Sequence, residues 1–87
     1  MDNWHVYMIL CSDDTLYTGI STDVERRFLE HKNLRGAKYF RGRQPVKIVY
    51  LESAHSRSSA SKTEAKIKNF TRKKKLLLLE STANETI

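Results

Sequence analysis

The chain has 87 residues and a formal net charge of +6, and 39% of its residues are hydrophobic. That length suits one small domain with a thin core and leaves no room for a second. No apolar run approaches the roughly 18 residues that span a bilayer, and Met1-Asp2-Asn3-Trp4-His5 leads into a strand pattern rather than a secretory leader. Cys11 is the only cysteine, so an intrachain disulfide is excluded and a reducing, cytoplasmic setting is the expectation. The surplus of positive charge favours a polyanionic partner, because each phosphate contact releases condensed counterions. A membrane surface is a poorer fit, since the basic segments lack the leucine and aromatic face of an interfacial helix.

In chain order, Trp4 to Leu10 is a continuous run of strand formers and Thr15 to Ile20 is a second. The polar cluster Cys11-Ser12-Asp13-Asp14 between them is of the kind that closes a hairpin, so Tyr7 and Tyr17 are expected on neighbouring antiparallel strands. Gly19, near the end of the second strand, permits close approach of a backbone or ligand. A helix then opens on a capping-box pattern, Thr22-Asp23-Val24-Glu25, with Thr22 as the expected N-cap. Val24 and Phe28 make its apolar pair. Arg27 and His31, one turn apart, fall along the edge of that stripe, and Gly36 is expected after the helix.

Lys38 to Gln44 reads as a basic, partly aromatic loop punctuated by Gly42. Pro45 admits a third strand over Val46 to Leu51. From a cap at or near Ser56 a long helix is expected, with Ala60, Thr63, Glu64, Ile67 and Thr71 on one face. A short helix restarting near Thr71 would carry Leu76 to Leu79 back onto the core. The domain is therefore taken as 1–79, with 80–87 a flexible C-terminal tail.

A few residues could carry chemistry. Glu64 is a carboxylate on an apolar helix face, which is costly unless it is paired or coordinates a cation; a salt bridge to a lysine or arginine is the plain alternative. Tyr7 and Tyr17 are strand tyrosines whose phenols would ordinarily take one hydrogen bond at the core's rim. A phenol can also orient or deprotonate a water, but its pKa near 10 demands electrostatic help, which Arg27 and a cation would supply. Arg27 is either a surface arginine paired locally or a clamp on a phosphate. His31 either orients a phosphate or water, or bonds a backbone carbonyl. Lys38, Arg41, Arg43, Arg72, Lys73, Lys74 and Lys75 are candidates for nucleic-acid backbone contacts, with Tyr39 and Phe40 placed to stack on a base; a solvated basic face is the plain reading. One cysteine and no His-x-x-x-His pair exclude a structural zinc site, and there is no Gly-rich phosphate loop.

Together, Leu16-Tyr17-Thr18-Gly19-Ile20, Thr22-Asp23, Arg26-Arg27 and Glu30-His31 resemble the GIY-YIG nuclease superfamily. The stretches Gly36-Ala37-Lys38-Tyr39, Arg41-Gly42-Arg43 and Pro45-Val46 are similar to its short single-domain bacterial subgroup of UPF0213 type. The resemblance covers roughly Trp4 to Leu79 and implies an α+β fold, a three-stranded antiparallel sheet flanked by helices. It places Tyr7 at the first signature, where His5-Val6 stands for Gly-Ile, and Tyr17 and Gly19 at the second, with Thr18 for isoleucine. It implies that Arg27 is the catalytic arginine, that His31 matches a histidine often found a turn later, and that Glu64 is the metal-binding glutamate. The implied chemistry is hydrolysis of one DNA strand with a divalent cation, Mg²⁺ or Mn²⁺. The asparagine that family nucleases often carry well downstream is not assigned to Asn69.

The expected function is thus a metal-dependent endonuclease-type domain acting on DNA more readily than RNA, on nicked, branched or single-stranded forms, with a protein partner as one source of specificity. A nucleic-acid-binding module of the same fold with weak or lost chemistry is the alternative. A protein-interaction adaptor with incidental charge is the third reading.

Overall fold

The structure is a computed structural model that describes residues 3–33, 40 and 42–85. The elements run β1 (Trp4–Cys11), β2 (Leu16–Ser21), α1 (Val24–Lys32), β3 (Pro45–His55), α2 (Arg57–Lys68) and α3 (Arg72–Glu85). The three strands form an antiparallel sheet in the order β2-β1-β3, so the first strand is central and the other two are edges. This is the α+β arrangement expected from the sequence.

From Val6 to Cys11, β1 is continuously apolar, and both its faces are covered. Alternate side chains point to opposite faces. Tyr7, Ile9 and Cys11 pack with Val24 and Phe40, and with the partly buried Tyr17, Phe28 and Ile48. Val6 and Met8 pack with Ala60 and Ile67, flanked by Trp4, Ile20, Phe70, Leu78 and Leu79. Full burial of such side chains contributes roughly 1.5–3 kcal/mol each, so the central strand carries much of a thin core.

The β1–β2 hairpin closes through Asp14, whose φ of 66° is left-handed, with Cys11 N–H donating to Thr15 O at 2.9 Å and Asp14 N–H donating to Cys11 O at 2.9 Å. Neighbouring elements grip this turn. Arg43 Nε lies 3.2 Å from Asp13 Oδ2, Gln44 N–H donates to Ser12 Oγ at 3.0 Å, and Arg72 Nη1 donates to Asp14 O at 2.6 Å.

Beyond shifts of one residue at strand ends, four boundaries differ from the sequence-based expectation. The N-cap of α1 is Asp23, not Thr22: its side chain accepts from Arg26 N–H at 3.1 Å, and a carboxylate there also complements the helix dipole. β3 continues past Leu51 to His55, pairing Glu52 with Val6 and His55 with Trp4. The ladder is held by backbone bonds, so polar side chains do not end it; the register shift here coincides with Ala54, whose φ is 64°. Thr71 precedes α3 instead of extending the face of α2, and its hydroxyl accepts from Lys74 N–H at 3.2 Å. α3 runs beyond Leu79 to Glu85. The Ser56 cap is as expected, and a reciprocal bond with Ser59 completes a capping box. Gly36 lies outside the described residues. Among the described residues no helix is long and apolar enough to cross a membrane.

The cap assignment is tested by a pair of variants. Asp23→Ala should lose about 1 kcal/mol of unfolding free energy in urea titrations, whereas the exposed Thr22→Ala should stay within about 0.5 kcal/mol of wild type. Equal losses would show that the cap is shared.

Candidate active site

Tyr7 on the central strand pairs directly with Gly19 on β2. A Cβ at position 19 would stand 2.6 Å from the Tyr7 hydroxyl oxygen and 2.8 Å from Cζ. Glycine is required here for space: the Tyr7 ring lies across the β2 backbone, a close approach that a side chain would forbid. So placed, the phenol reaches α1, and a 3.1 Å hydrogen bond joins Tyr7 Oη to His31 Nε2.

His31 is fully buried. The sequence places it at the edge of the apolar stripe of α1, but it lies two turns from Val24, the other buried residue of that helix, and inside a cluster of rings. Its ring centroid is 4.4 Å from that of Phe40 and 5.1 Å from that of Tyr17, edge-on to the latter. Tyr7 and Tyr17 are 6.3 Å apart. Phe40, expected as a stacking surface for a base, is 1% exposed and therefore a core residue. Its partners are distant in sequence, which is why local pattern does not reveal it.

Burial sets the protonation states. It lowers the His31 pKa to about 4, assisted by the charge of Arg27 and opposed by Glu30, so the imidazole is neutral at physiological pH. Burial also pushes the Tyr7 phenol well above its ordinary value; the neighbouring Tyr17 and Glu64 add to this, while the charge and approach of Arg27 oppose it. Tyr17, only partly buried, is raised by burial and Glu64 and lowered by Arg27. Tyr7 and His31 thus form a neutral, hydrogen-bonded pair inside the molecule, and Tyr17 is the phenol nearer to solvent.

Arg27 follows from that geometry, one helical turn before His31. Its Nη1 donates to Glu30 Oε1 at 3.1 Å, and both side chains are about one third exposed. That hydrogen bond, ahead of the attraction to both phenols, raises the Arg27 pKa. Glu30 also meets Arg26 Nε at 3.6 Å. In the sequence Glu30 has the pattern of an ordinary surface acid. The signal present was its i, i+3 spacing from Arg27, which favours such a pair.

Glu64 stands on α2 between the buried Ala60 and Ile67, and pairs with Lys68 Nζ at 3.3 Å. The salt bridge and the proximity to the phenols coexist, since the charge of Glu64 is felt by both tyrosines. Among the described residues no three His, Cys, Asp or Glu side chains gather as a metal cage. What Glu64 offers is one hard carboxylate with an exposed lysine as its competitor, a donor set that suits a cation retaining most of its water.

The basic residues divide. Lys38, Tyr39 and Arg41 lie outside the described residues. Arg43, a candidate phosphate contact, is bound to Asp13 and donates to Thr15 Oγ1 at 3.3 Å. Arg72 holds the hairpin turn, and Lys74 Nζ lies 4.4 Å from the Phe70 ring centroid. Lys73 is exposed. Lys75 lines a cleft of about 260 Å³ with Thr15, Leu16 and Arg72.

Residues 3–76 match the family model of the GIY-YIG catalytic domain. A UPF0213 protein of Haloquadratum walsbyi is 52% identical over 81 residues, covering 92% of this chain and 91% of the relative. One from Staphylococcus saprophyticus is 46% identical, covering 91% and 96%. The solution structure of the UPF0213 protein BH0048 of Bacillus halodurans is similar at 39% identity with a TM-score of 0.57, covering 88% of this chain and 82% of that one. That of the E. faecalis protein EF2693 gives 37% identity and a TM-score of 0.62, covering 95% and 92%. The chain belongs to the GIY-YIG family.

Two outcomes follow from the buried pair. Gly19→Ala should displace Tyr7 and cost about 1–3 kcal/mol, a loss that shrinks in a Tyr7→Ala background as measured by a denaturation cycle; an undiminished loss would show that the glycine serves something else. An unfolded imidazole protonates near 6.5, but His31 in the fold does so only at about 4. Its contribution is therefore complete above pH 6.5 and lost as pH falls to 4, by about 3 kcal/mol from linkage. Urea titrations across that window should show this slope in wild type and its absence in His31→Gln.

Proposed function

We propose that this protein is an endonuclease that hydrolyses a phosphodiester bond in DNA with the help of one divalent cation, Mg²⁺ or Mn²⁺. Membership of the GIY-YIG family supports an endonuclease-type function and a nucleic-acid substrate. The observation that carries the finer reading is the convergence of two phenols, a neutral imidazole and Arg27, with the charge of Glu64 reaching both phenols.

In this reading Arg27 clamps the scissile phosphate. Glu30 takes one of its N–H donors and holds the guanidinium in place, leaving the others for two phosphate oxygens. Such a clamp acts most strongly on the charge that develops in the transition state. Tyr17, the phenol nearer to solvent, orients the attacking water through its hydroxyl; it takes the water's proton as the bond to phosphorus forms only after losing its own proton to solvent, a loss that the charge of Arg27 favours and burial opposes. Tyr7 and His31 are positioning residues that set the spacing between Tyr17 and the helix bearing Arg27. A cation on Glu64 would supply neutralisation of the phosphate and of the departing oxygen. Lys68 then releases Glu64 and turns to solvent, where it is already half exposed.

The ion pair between Glu64 and Lys68 favours a second reading, in which the fold binds nucleic acid without cutting it. Cleavage of nicked and branched DNA in Mg²⁺ or Mn²⁺ separates the two. Glu64→Ala should abolish cutting and Arg27→Ala should slow it by about 10²–10³-fold, with filter-measured binding retained by Glu64→Ala. Cutting unchanged in Glu64→Ala would remove Glu64 from the mechanism. Wild-type binding with no cutting would establish the binding module.

A further inference from the structure

The first turn of α3 carries Arg72, Lys73, Lys74 and Lys75 and no acidic residue. Cations there face the positive end of the helix dipole and repel one another. Lys74 is drawn onto Phe70. Arg72 and Lys75 instead form one wall of the cleft of about 260 Å³ whose other wall is Thr15 and Leu16. Arg72 is fixed there by the Asp14 carbonyl through a single N–H, and its remaining donors are not used in an ion pair with any described carboxylate. Lys75 makes no ion pair among the described residues either. Asp13, the acid beside this turn, is occupied by Arg43 and by the Thr15 hydroxyl at 2.6 Å. The cleft is therefore cationic, with no ion pair to its two cations among the described residues, and one of the two is held in place by the fold.

Its position links it to the candidate active site. Thr15 and Leu16 lead directly into Tyr17 on β2, an edge strand of the sheet. Leu16 pairs with Leu10, on the face of the sheet that α2 and α3 cover, and Tyr17 pairs with Ile9, on the face that α1 covers, so a strand that reaches both passes around the β2 edge.

We propose that this cleft is a second phosphate subsite, in which Arg72 and Lys75 take a backbone phosphate of the same strand whose scissile phosphate lies at Arg27. The subsite rests on the reading of the protein as a DNA-cleaving enzyme and adds to it a direction: the strand runs beside β2 towards the β1–β2 turn. Contacts to phosphate carry no sequence information, so the subsite aligns the strand and leaves base identity unread.

The test is binding of labelled nicked DNA, in EDTA to prevent cleavage, by wild type, Lys75→Gln and Lys47→Gln. Lys47 is exposed on β3, the opposite edge of the sheet, and controls for loss of one charge. Lys75 is chosen over Arg72 because it does not hold the hairpin. Lys75→Gln should weaken binding by about 3–10-fold and reduce the slope of log affinity against log salt by about 1, with Lys47→Gln close to wild type. Equal effects of the two variants, while wild type binds and cuts, would overturn the subsite alone. Absence of wild-type binding would overturn the DNA reading and the subsite with it.

Discussion

The hydrogen bond between Tyr7 and His31 fixes most of what surrounds it. Tyr7 belongs to the central strand, crosses the backbone of β2 at Gly19, and ends on α1. One side chain thereby sets the position of a helix relative to two strands. Arg27 lies one turn before His31, so its placement beside the phenols is a consequence of that bond. Because burial keeps both partners neutral, the bond involves no buried ion whose desolvation would have to be offset. A protonated His31 would put an uncompensated charge among Tyr7, Tyr17 and Phe40, with Arg27 adding repulsion and only Glu30 opposing it.

The charge of the chain takes on a different meaning once these contacts are known. Several of the basic residues hold the fold together. Arg43 and Arg72 brace the hairpin turn from two directions, Arg26 and Arg27 share Glu30, and Lys68 screens Glu64. Each ion pair cancels an acid together with a base, so the net charge of +6 survives them, and what they decide is which cations are engaged within the fold. Arg27, whose other donors remain beyond Glu30, and Lys75, in its cleft with Thr15 and Leu16, both sit close to β2. Recognition and chemistry on one edge strand would suit a domain of this size, which has little surface to divide between them.

The sequence is informative where one residue type has a single cheap use. An apolar run identifies β1 as a covered strand, Ser56 before a polar-apolar helical pattern marks the start of α2, and the spacing of Tyr7, Tyr17, Arg27, His31 and Glu64 gathers the residues that the fold brings close. It is less informative where two residues compete for one role. Thr22 and Asp23 are both good caps, and only backbone geometry selects Asp23. The reach of β3 to His55 was hidden because its last pairs are made by backbone groups beneath polar side chains. Phe40 and Glu30 escape local pattern for opposite reasons: Phe40, expected to stack on a base, is a core residue whose partners lie across the fold, and Glu30 looks like any surface acid until Arg27 is seen to need one. Arg43 was read by charge alone, whereas its contacts to Asp13 and Thr15 decide what it does.

The most direct test of the division between a positioning phenol and a reacting one is the single-turnover cleavage rate of Tyr17→Phe beside Tyr7→Phe, each at saturating enzyme. Tyr17→Phe should keep the fold and the affinity for DNA but lose at least about 100-fold in rate, the usual scale for removing a general base. Tyr7→Phe should lose stability first and rate by a smaller factor. A Tyr17→Phe protein that cuts as fast as wild type would contradict the assignment of the attacking water to Tyr17 and with it the role given to the buried pair.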